Sequence, residues 1–204
     1  ATLRTRGAVI VEPEEGPLAS GRSGQGRLAD EARILSALQA ALHPRRDWSG
    51  RRLLISAGPT QEAIDPVRFI SNRSSGKMGY ALAEAAQARG AEVLLVSGPT
   101  ALTPPAGVEL CPVTTAEEMR KAVISRFSWS DTVIMAAAVA DFRPTQPAAQ
   151  KLKKRRSPVT SLELSPTDDI LRELGERRTT QVLVGFAAET EDLLAHAREK
   201  LQAK

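Results

Sequence analysis

The sequence predicts an α/β fold, a doubly wound and mostly parallel sheet with helices on both faces. From Leu53 onward, short apolar stretches contain few alternating polar residues, which is typical of strands buried on both faces. Helical stretches lie between these strands, which favours right-handed crossovers. The predicted strands are 53–56, 92–96, 108–110, 132–138 and 181–186, and the predicted helices are 77–89, 115–127, 168–177 and 191–203.

Signals at the ends of the elements agree with this assignment. Gly90 follows the first helix, at the C′ position that favours glycine. Thr114 and Glu117 have the spacing of a capping box before the second helix. The stretch SPVTSLEL at 157–164 predicts a strand outside the alternation, so we expect a β-hairpin flap whose other arm precedes the sequence KLKK.

The N-terminal part of the chain differs from the rest. Residues 1–30 are rich in Gly, Glu and Arg, and a short amphipathic helix is predicted from about Asp30 to Leu42. The sequence HPRRDWSGRR that follows has the composition of a linker. We therefore predict an N-terminal segment, 1–47, and an α/β domain, 48–204.

The composition is that of an ordinary globular chain. Its 204 residues are 42% hydrophobic and 25% charged, which suffices for one sizeable domain and an appendage. There is no apolar run of about 18 residues and no signal-peptide pattern, so we expect neither a membrane span nor secretion. The single cysteine, Cys111, excludes an internal disulfide and a Cys/His zinc cluster. A cytoplasmic location is predicted.

The basic residues raise nucleic acid as a partner. The formal net charge is +4, and five of the six residues in KLKKRR at 151–156 are basic. Aromatic residues make up only 3% of the chain, too few for the stacking platforms of single-strand binders. A solvated surface segment or an anionic small-molecule substrate explains the charge equally well.

The stretch 57–76, between the first strand and the first helix, predicts a binding loop because long polar loops are uncommon without a function. It ends in SNRSSGKMG, which places hydroxyls, a glycine and an amine at a helix N-terminus, where anions are favoured. Neither GxxxxGK[ST] nor GxGxxG is present, so this is a phosphate or carboxylate loop of another design. Its polar side chains are Asp65, Arg68, Asn72, Arg73, Ser74, Ser75 and Lys77.

Ligands of such sheets bind beyond the carboxyl ends of the strands, which here lead into loops 57–76, 98–107, 138–151 and 186–190. In AAAVADFRP, small residues allow close approach to the backbone, and Asp141 can hold a magnesium ion that bridges phosphates or serve as a turn aspartate. Lys151 can neutralise charge on a phosphoryl group or be a surface lysine. Lys200 and Lys204 are four residues apart, so their amines share one helix face.

Four segments in this order resemble the phosphopantothenoylcysteine synthetase family: ISAGPTQEAIDPVRFISNRSSGKMGYALA, AAAVADFRP, KLKK and VGFAAET. More narrowly, they resemble the bacterial, CTP-using domain of bifunctional coenzyme A biosynthesis proteins, from about Trp48 to Lys204. The resemblance implies a Rossmann-like fold and ligation of 4′-phosphopantothenate to L-cysteine with CTP and Mg²⁺. The carboxylate attacks the α-phosphate to give an acyl-cytidylate and pyrophosphate, and the cysteine amine then displaces CMP.

The resemblance also implies roles for single residues. Asn72 matches the asparagine at the pantothenoyl acyl group, Lys151 the lysine of a mobile flap over the triphosphate, and Asp141 the nucleotide-site aspartate beside the metal. Asp168 replaces the family's proline in a nucleotide contact that continues with Asp169 and Ile170. The other implied CTP contacts are Ala136, Ala137, Phe186, Lys200 and Lys204, and the anion-binding helix start is formed by Ser74, Gly76 and Lys77.

The family forms homodimers with active sites at the interface, so Arg68 and Arg73 are expected to serve the neighbouring subunit's ligand or their own. Residues 17–28 resemble the end of the decarboxylase half of the bifunctional proteins, but Ser20 stands where that half has a catalytic cysteine. We therefore expect neither decarboxylation nor flavin here. Family members continue with another strand, whereas this sequence ends at Lys204, so a truncated domain is expected.

Three rival interpretations remain. An NAD(P) reductase is compatible with the alternation but lacks a glycine fingerprint and an acidic residue after the second strand. A nucleic-acid-binding module built on KLKKRR predicts binding that falls steeply with salt and is indifferent to CTP. A non-catalytic fragment predicts dimerisation and CTP binding without turnover.

Overall fold

The computed structural model describes residues 2–18, 20–42, 46–153 and 161–186. The chain separates into two compact units, Ala1–Asp47 and Trp48–Lys204. In the first unit, the side chain of Asp30 accepts a hydrogen bond from the Arg33 N–H (2.8 Å) at the start of its longer helix. The elements of this unit are α1 (Thr2–Thr5), β1 (Glu14–Pro17), β2 (Ser23–Arg27), which pairs antiparallel with β1, and α2 (Glu31–Leu42).

The second unit is built on a parallel sheet. In chain order its elements are β3 (Arg52–Ala57), β4 (Gln61–Ala63), β5 (Phe69–Ser71), α3 (Lys77–Ala88), β6 (Glu92–Ser97), β7 (Glu109–Pro112), α4 (Ala116–Arg126), a 3-10 turn (Phe127–Trp129), β8 (Thr132–Met135), β9 (Phe142–Pro144), β10 (Leu164–Pro166), α5 (Ile170–Arg177) and β11 (Val182–Gly185). The sheet runs β11–β8–β3–β6–β7 and every pair in it is parallel. Along the chain β3 comes first and β8 fourth, so the winding direction reverses between these two neighbours.

Apolar side chains are buried on both faces of this sheet. On one face, Tyr80 and Ala83 of α3 pack on Leu53 and Leu95. On the other face, α4 and α5 pack on Leu54 and the strands beside it. Burial on both faces explains why the strands lack an alternating polar pattern. The predicted fold class is confirmed.

Several local predictions need correction. The capping box before α4 consists of Thr115 and Glu118, one residue later than predicted. The fourth strand of the sheet ends at Met135 and not at 138. The stretch 57–76 is more than a loop, because β4 and β5 form an antiparallel hairpin within it.

A hairpin outside the alternation is present, because β10 pairs antiparallel with β9, which precedes KLKK. Its second arm begins at Leu164, later than the predicted strand 157–164, of which residues 157–160 lie outside the described residues. The predicted helix 191–203 and residues 154–156 of the basic run lie outside the described residues. Within the described part of the chain, every helix is too short or too polar to span a bilayer.

Candidate functional site

Four of the predicted site residues lie on the two loops that leave the sheet where its winding reverses. In doubly wound sheets, the loops leaving two such strands diverge to opposite faces and open a crevice at their carboxyl ends. Here the loop after β3 carries Asn72, and the loop after β8 carries Ala136, Ala137 and Asp141. The strand order therefore places two segments that are far apart in sequence at one edge of the sheet.

The two loops stay hydrogen-bonded beyond the last sheet residues. The N–H of Ala137 donates to Ser56 Oγ (3.1 Å), and the N–H of Ala138 donates to the Gly58 carbonyl (2.9 Å). The N–H of Ala140 donates to Oγ1 of Thr60 (2.9 Å), a side chain with no solvent exposure. This seam fixes the AAAVAD backbone against the start of the 57–76 loop.

Close packing around the seam requires glycine. A Cβ atom at Gly98 would lie 1.8 Å from the carbonyl oxygen of Pro59, so the loop after β6 can approach only without a side chain. Gly76 has φ 77°, and a Cβ atom there would lie 2.7 Å from Thr100 Cγ2. These contacts bring the start of α3 against the seam.

Asn72 joins the two loops directly. Its Nδ2 donates to the carbonyl oxygen of Val139 at 2.9 Å, and the residue is otherwise exposed. The hydrogen bond uses one amide donor and fixes the plane of the side chain. A carboxamide oriented in this way can hold the oxygen of an acyl group next to the small residues of AAAVAD.

Asp141 ends the second segment. Its carbonyl oxygen accepts the N–H of Thr167 (2.9 Å), and Thr167 Oγ1 donates to the Ala140 carbonyl (2.6 Å). The carboxylate of Asp141 is on an exposed residue. Its backbone is thus held by Thr167, the residue after β10, while its side chain stays accessible to a ligand.

Lys151 is exposed on the segment that follows the β9 arm. The segment is attached to the β4–β5 hairpin, because the N–H of Ala148 donates to the Ile64 carbonyl (2.8 Å). The next residue, Leu152, donates its N–H to Asp65 Oδ2 (3.1 Å) and accepts from Arg68 Nη2 (2.9 Å). Lys151 therefore lies between two anchored positions.

Asp65 is the most perturbed titratable group of this region. It forms an ion pair with Arg68, whose Nε lies 3.0 Å from Oδ2 and whose Nη2 also donates to it. The hydrogen bonds from Arg68 hold the pKa of the Asp65 carboxyl well below its usual range, although burial acts in the opposite direction. Arg68 thus binds Asp65 of its own chain, and its exposed part can contact a ligand as well.

The predicted contact at 168–170 lies at the start of α5. Asp169 is the N-cap and accepts from the Arg172 N–H (3.0 Å), and the Ile170 side chain is buried in the core. Asp168 is exposed and 3.7 Å from Arg120, which pairs with Glu173 (2.7 Å) and ties α4 to α5. The hydrogen bond between Arg120 and Glu173 raises the pKa of the Arg120 guanidinium above its already high value.

A shallow cleft of about 410 Å³ borders this contact. Four carboxylates and two guanidinium groups line it, so it does not favour a triphosphate. Its lining residues are Arg120, Thr167, Asp168, Asp169, Arg172, Glu173 and Glu176.

The remaining predicted residues are less connected. Gly76 is the N-cap of α3, its N–H donates to Ser74 Oγ (3.3 Å), and Lys77 is exposed at the first helical position. Arg73 is exposed beside Asn72, and Phe186 is about half exposed just after β11. Lys200 and Lys204 lie outside the described residues.

A resident all-protein metal site is not formed in the described part of the chain, where no group of three His, Cys, Asp or Glu side chains could hold an ion. A single exposed carboxylate, that of Asp141, nevertheless fits Mg²⁺ held mainly by phosphate oxygens and water. The donor set is therefore compatible with a metal that arrives with a nucleotide.

Sequence reasoning missed Ser56 and Thr60, which build the site without facing a ligand, and it named Asp65 only as a polar residue of the 57–76 loop. All three residues are buried, and each has a hydrogen-bond partner 80 or more residues away in sequence. The two GPT tripeptides, at 58–60 and 98–100, each directly follow a strand and are the signal that could have revealed the close loop packing.

Residues 48–204 match the family described as DNA/pantothenate metabolism flavoprotein C-terminal domain. The coenzyme A biosynthesis bifunctional protein CoaBC of Bacillus subtilis (strain 168) is 51% identical over 207 residues, covering all of this chain and 51% of its own length. The chain thus spans about half the length of the curated relatives it matches.

Solved structures agree with the sequence comparison. The crystal structure of the C-terminal domain of a CoaBC protein superposes with a TM-score of 0.69 at 49% identity, covering 78% of this chain and 74% of that one. A Cab2 mutant in complex with phosphopantothenate-cysteine shares the fold, with a TM-score of 0.62 at 23% identity, and covers 81% of this chain and 71% of its own. On the match over 48–204 and the identity to CoaBC, this chain belongs to the DNA/pantothenate metabolism flavoprotein C-terminal domain family.

Proposed function

We propose that the unit from Trp48 onward is a phosphopantothenate–cysteine ligase that uses CTP. The observation that carries this proposal is the seam at the winding reversal, where the Asn72 amide is hydrogen-bonded to the AAAVAD backbone. Membership of the family, and about half sequence identity to CoaBC proteins, supports this reaction over the rival interpretations. The absence of a glycine fingerprint in the sequence disfavours a dinucleotide reductase.

In the first half-reaction, a carboxylate oxygen of 4′-phosphopantothenate attacks the α-phosphorus of CTP. The bond from that phosphorus to the bridging oxygen breaks, and pyrophosphate leaves with the electron pair. Lys151 is the residue to which we assign neutralisation of the developing charge, because its amine is exposed on an anchored segment next to the crevice. Asp141 would help to hold Mg²⁺, which would supply further charge neutralisation on the phosphates.

In the second half-reaction, the amine of L-cysteine attacks the acyl carbon of the acyl-cytidylate. A C–N bond forms, the C–O bond to CMP breaks, and the amine nitrogen loses a proton. We assign to Asn72 the orientation of the acyl group, since its amide is fixed by the carbonyl of Val139.

The nucleotide is proposed to lie along Ala136 and Ala137, with Asp168, Asp169, Ile170, Phe186, Lys200 and Lys204 as further contacts. Of the 168–170 group, Asp168 and Asp169 are exposed whereas Ile170 is buried, so Ile170 would contribute through its backbone. The exposed start of α3, with Ser74, Gly76 and Lys77, supports binding of a substrate phosphate or carboxylate.

A homodimer is also proposed. Val67, Phe69, Phe142 and Leu164 are each about half exposed, and they lie on the β4–β5 and β9–β10 hairpins, which pack beside each other. An apolar surface of this kind favours a protein partner. Sedimentation velocity at micromolar concentration is expected to show a dimer, and Phe69→Glu is expected to shift it to monomer. Parent protein that sediments as a monomer would contradict this part of the proposal.

Pyrophosphate release tests the activity. The chain is incubated with 4′-phosphopantothenate, CTP and Mg²⁺, with ATP in a parallel reaction, and the product formed after cysteine addition is identified by mass spectrometry. Lys151→Ala is expected to lower pyrophosphate release by about 100-fold or more. Lys121→Ala is the matched control, because Lys121 is an exposed lysine in a helical ion pair with Glu117.

Equal rates for the two lysine variants would remove Lys151 from the mechanism. CTP binding without pyrophosphate release would instead indicate a non-catalytic CTP-binding unit. We also propose that the full-length protein carries a decarboxylase half, as the bifunctional relatives do, and that it is located in the cytoplasm.

A further inference from the structure

An ion pair with a buried carboxylate, Asp65–Arg68, is attached to the residue that follows the proposed catalytic lysine. Neither the proposed reaction nor the proposed nucleotide contacts account for this ion pair. Asp65 sits at the tip between β4 and β5, and its side chain is completely buried. Arg68, three residues later, is its partner and is about half exposed. A buried carboxylate is costly unless its oxygens are all engaged, so its hydrogen bonds indicate what it holds.

The first carboxylate oxygen of Asp65 shapes the hairpin itself. Oδ1 accepts the N–H groups of Val67 (2.8 Å) and Arg68 (2.9 Å). Asp side chains commonly close tight turns in this way. This half of the interaction is local and explains the turn.

The second oxygen reaches another part of the chain. Oδ2 accepts from the Arg68 side chain and from the N–H of Leu152 (3.1 Å), which is 87 residues away in sequence. Arg68 Nη2 donates in turn to the Leu152 carbonyl (2.9 Å). Both peptide groups of Leu152 are therefore held by one ion pair.

These contacts flank Lys151 closely. Leu152 follows it directly, and the N–H of Ala148 is bonded to the Ile64 carbonyl at the same hairpin tip. The segment 149–151 is thus bounded by two attachment points on one rigid element. Releasing Leu152 would remove a hydrogen bond from a buried carboxylate, which disfavours an open position of this segment.

We propose that Asp65 and Arg68 are positioning residues that clamp the Leu152 backbone and thereby set the place of the Lys151 amine during the first half-reaction. This inference rests on the proposed ligase function for its catalytic part. A misplacement of about 1 Å can cost about 100-fold in rate, so a clamp one residue from a charge-neutralising amine has a large effect on turnover.

The test measures the clamp and the reaction separately. The clamp is followed by amide hydrogen exchange at Leu152, whose N–H donates to Asp65. Asp65→Asn keeps the shape of the side chain and an oxygen for the turn but removes the charge. Arg68→Lys keeps the charge but cannot bridge Asp65 and the Leu152 carbonyl at once.

The matched control is Asp131→Asn. Asp131 also accepts a backbone N–H, that of Arg52 (2.8 Å), but it does so at the amino ends of the strands. Thermal unfolding of all three variants shows whether any of them loses the fold. Because Arg68 is half exposed, Arg68→Lys keeps the test decisive even where Asp65→Asn does not fold.

We expect at least about 10-fold faster exchange at Leu152 in Asp65→Asn and Arg68→Lys, and no change in Asp131→Asn. The kcat of pyrophosphate release is expected to fall about 10- to 100-fold in the first two variants, with KM for CTP within about twofold of the parent. A loss of fold alone would not produce a kcat effect at unchanged KM and unchanged melting temperature.

Unchanged exchange at Leu152 in both variants would overturn the clamp. Faster exchange with an unchanged kcat would overturn its positioning role. A parent chain that releases no pyrophosphate would contradict the proposed ligase function, and the exchange measurement would still decide whether Asp65 and Arg68 hold the segment.

Discussion

The same tripeptide, Gly-Pro-Thr, follows two neighbouring strands, β3 and β6, yet the threonines of the two copies have different hydrogen-bond partners. After β3, Pro59 and Thr60 are buried, and Thr60 binds the Ala140 N–H across the winding reversal. After β6, Thr100 is half-buried and its hydroxyl donates to the Tyr80 hydroxyl (3.2 Å). Of these two strands only β3 pairs with β8, so only the loop after β3 is hydrogen-bonded to the AAAVAD segment beyond the sheet.

The comparison shows that strand order, and not local sequence, makes one of these loops part of a site. The tripeptide after β6 packs against the tripeptide after β3, because Gly98 lies close to Pro59 and Thr100 lies close to Gly58 and Gly76. Substitutions in the two copies can separate the supporting role from the binding role.

The largest effect is expected at Gly98. In Gly98→Ala the new methyl group would lie 1.8 Å from the Pro59 carbonyl oxygen. The backbone fixes the position of both the methyl carbon and the carbonyl oxygen, so a side-chain rotation cannot relieve the clash. We expect a loss of about 3 kcal/mol or more in the free energy of unfolding, measured by urea denaturation. Gly50→Ala, at φ 77° in open space, is the control and is expected to cost only about 1–2 kcal/mol. Equal losses would show that the close approach is unimportant.

A smaller difference is expected between the two threonines. Thr60→Val leaves the buried Ala140 N–H without its acceptor, for an expected cost of about 1–3 kcal/mol and a loss of pyrophosphate release. Thr100→Val is expected to cost about 0.5–1.5 kcal/mol and to leave the reaction nearly intact. Denaturation and turnover measured on both variants check this, and a larger loss of activity for Thr100→Val would reverse the assignment.

The smallest effect concerns pH. The hydrogen bonds from Arg68 lower the folded-state pKa of Asp65, so its stabilisation is fully present above the ordinary carboxyl value of 3.8 and is lost only as pH falls through the lowered value. We therefore expect the protection factor of the Leu152 amide, corrected for intrinsic exchange, to stay constant between about pH 7 and pH 5 and to fall as the pH is lowered below 3.8. A protection factor that stays constant down to about pH 3 would show that the attached segment does not lower the pKa of the Asp65 carboxyl.

The sheet could be predicted from sequence because each buried strand and its following helix leave a local pattern. The three-residue strands β4 and β5 are too short to leave one, so their hairpin was taken for a loop. The capping box was displaced by one residue because TTAEE offers two registers. Glu118 decides between them, since its Oε2 accepts the N–H groups of both Thr114 (2.6 Å) and Thr115 (3.2 Å).

The site residues were recognised from motifs, but their mutual arrangement was not predictable. The predicted fourth strand was too long because Ala138 continues an extended course beside Pro59 after the sheet ladder has ended. The partner of Asn72 lies 67 residues away, and Leu152, the distant partner of Asp65, lies 87 residues away, so no local rule connects them. Such contacts follow from strand order, which a single sequence does not display.

The pairing of β3 with β8 also has a kinetic consequence. The unit β3–α3–β6 is local in sequence and can form early. In contrast, β8 pairs with β3 over a long sequence separation, since Arg52 and Asp131, which are hydrogen-bonded to each other, are 79 residues apart. Closing so long a loop is slow because its entropy must be lost before the contacts form. We therefore expect the crevice to be completed late in folding, so a nucleotide bound there would tie together two halves of the sheet that assemble at different times.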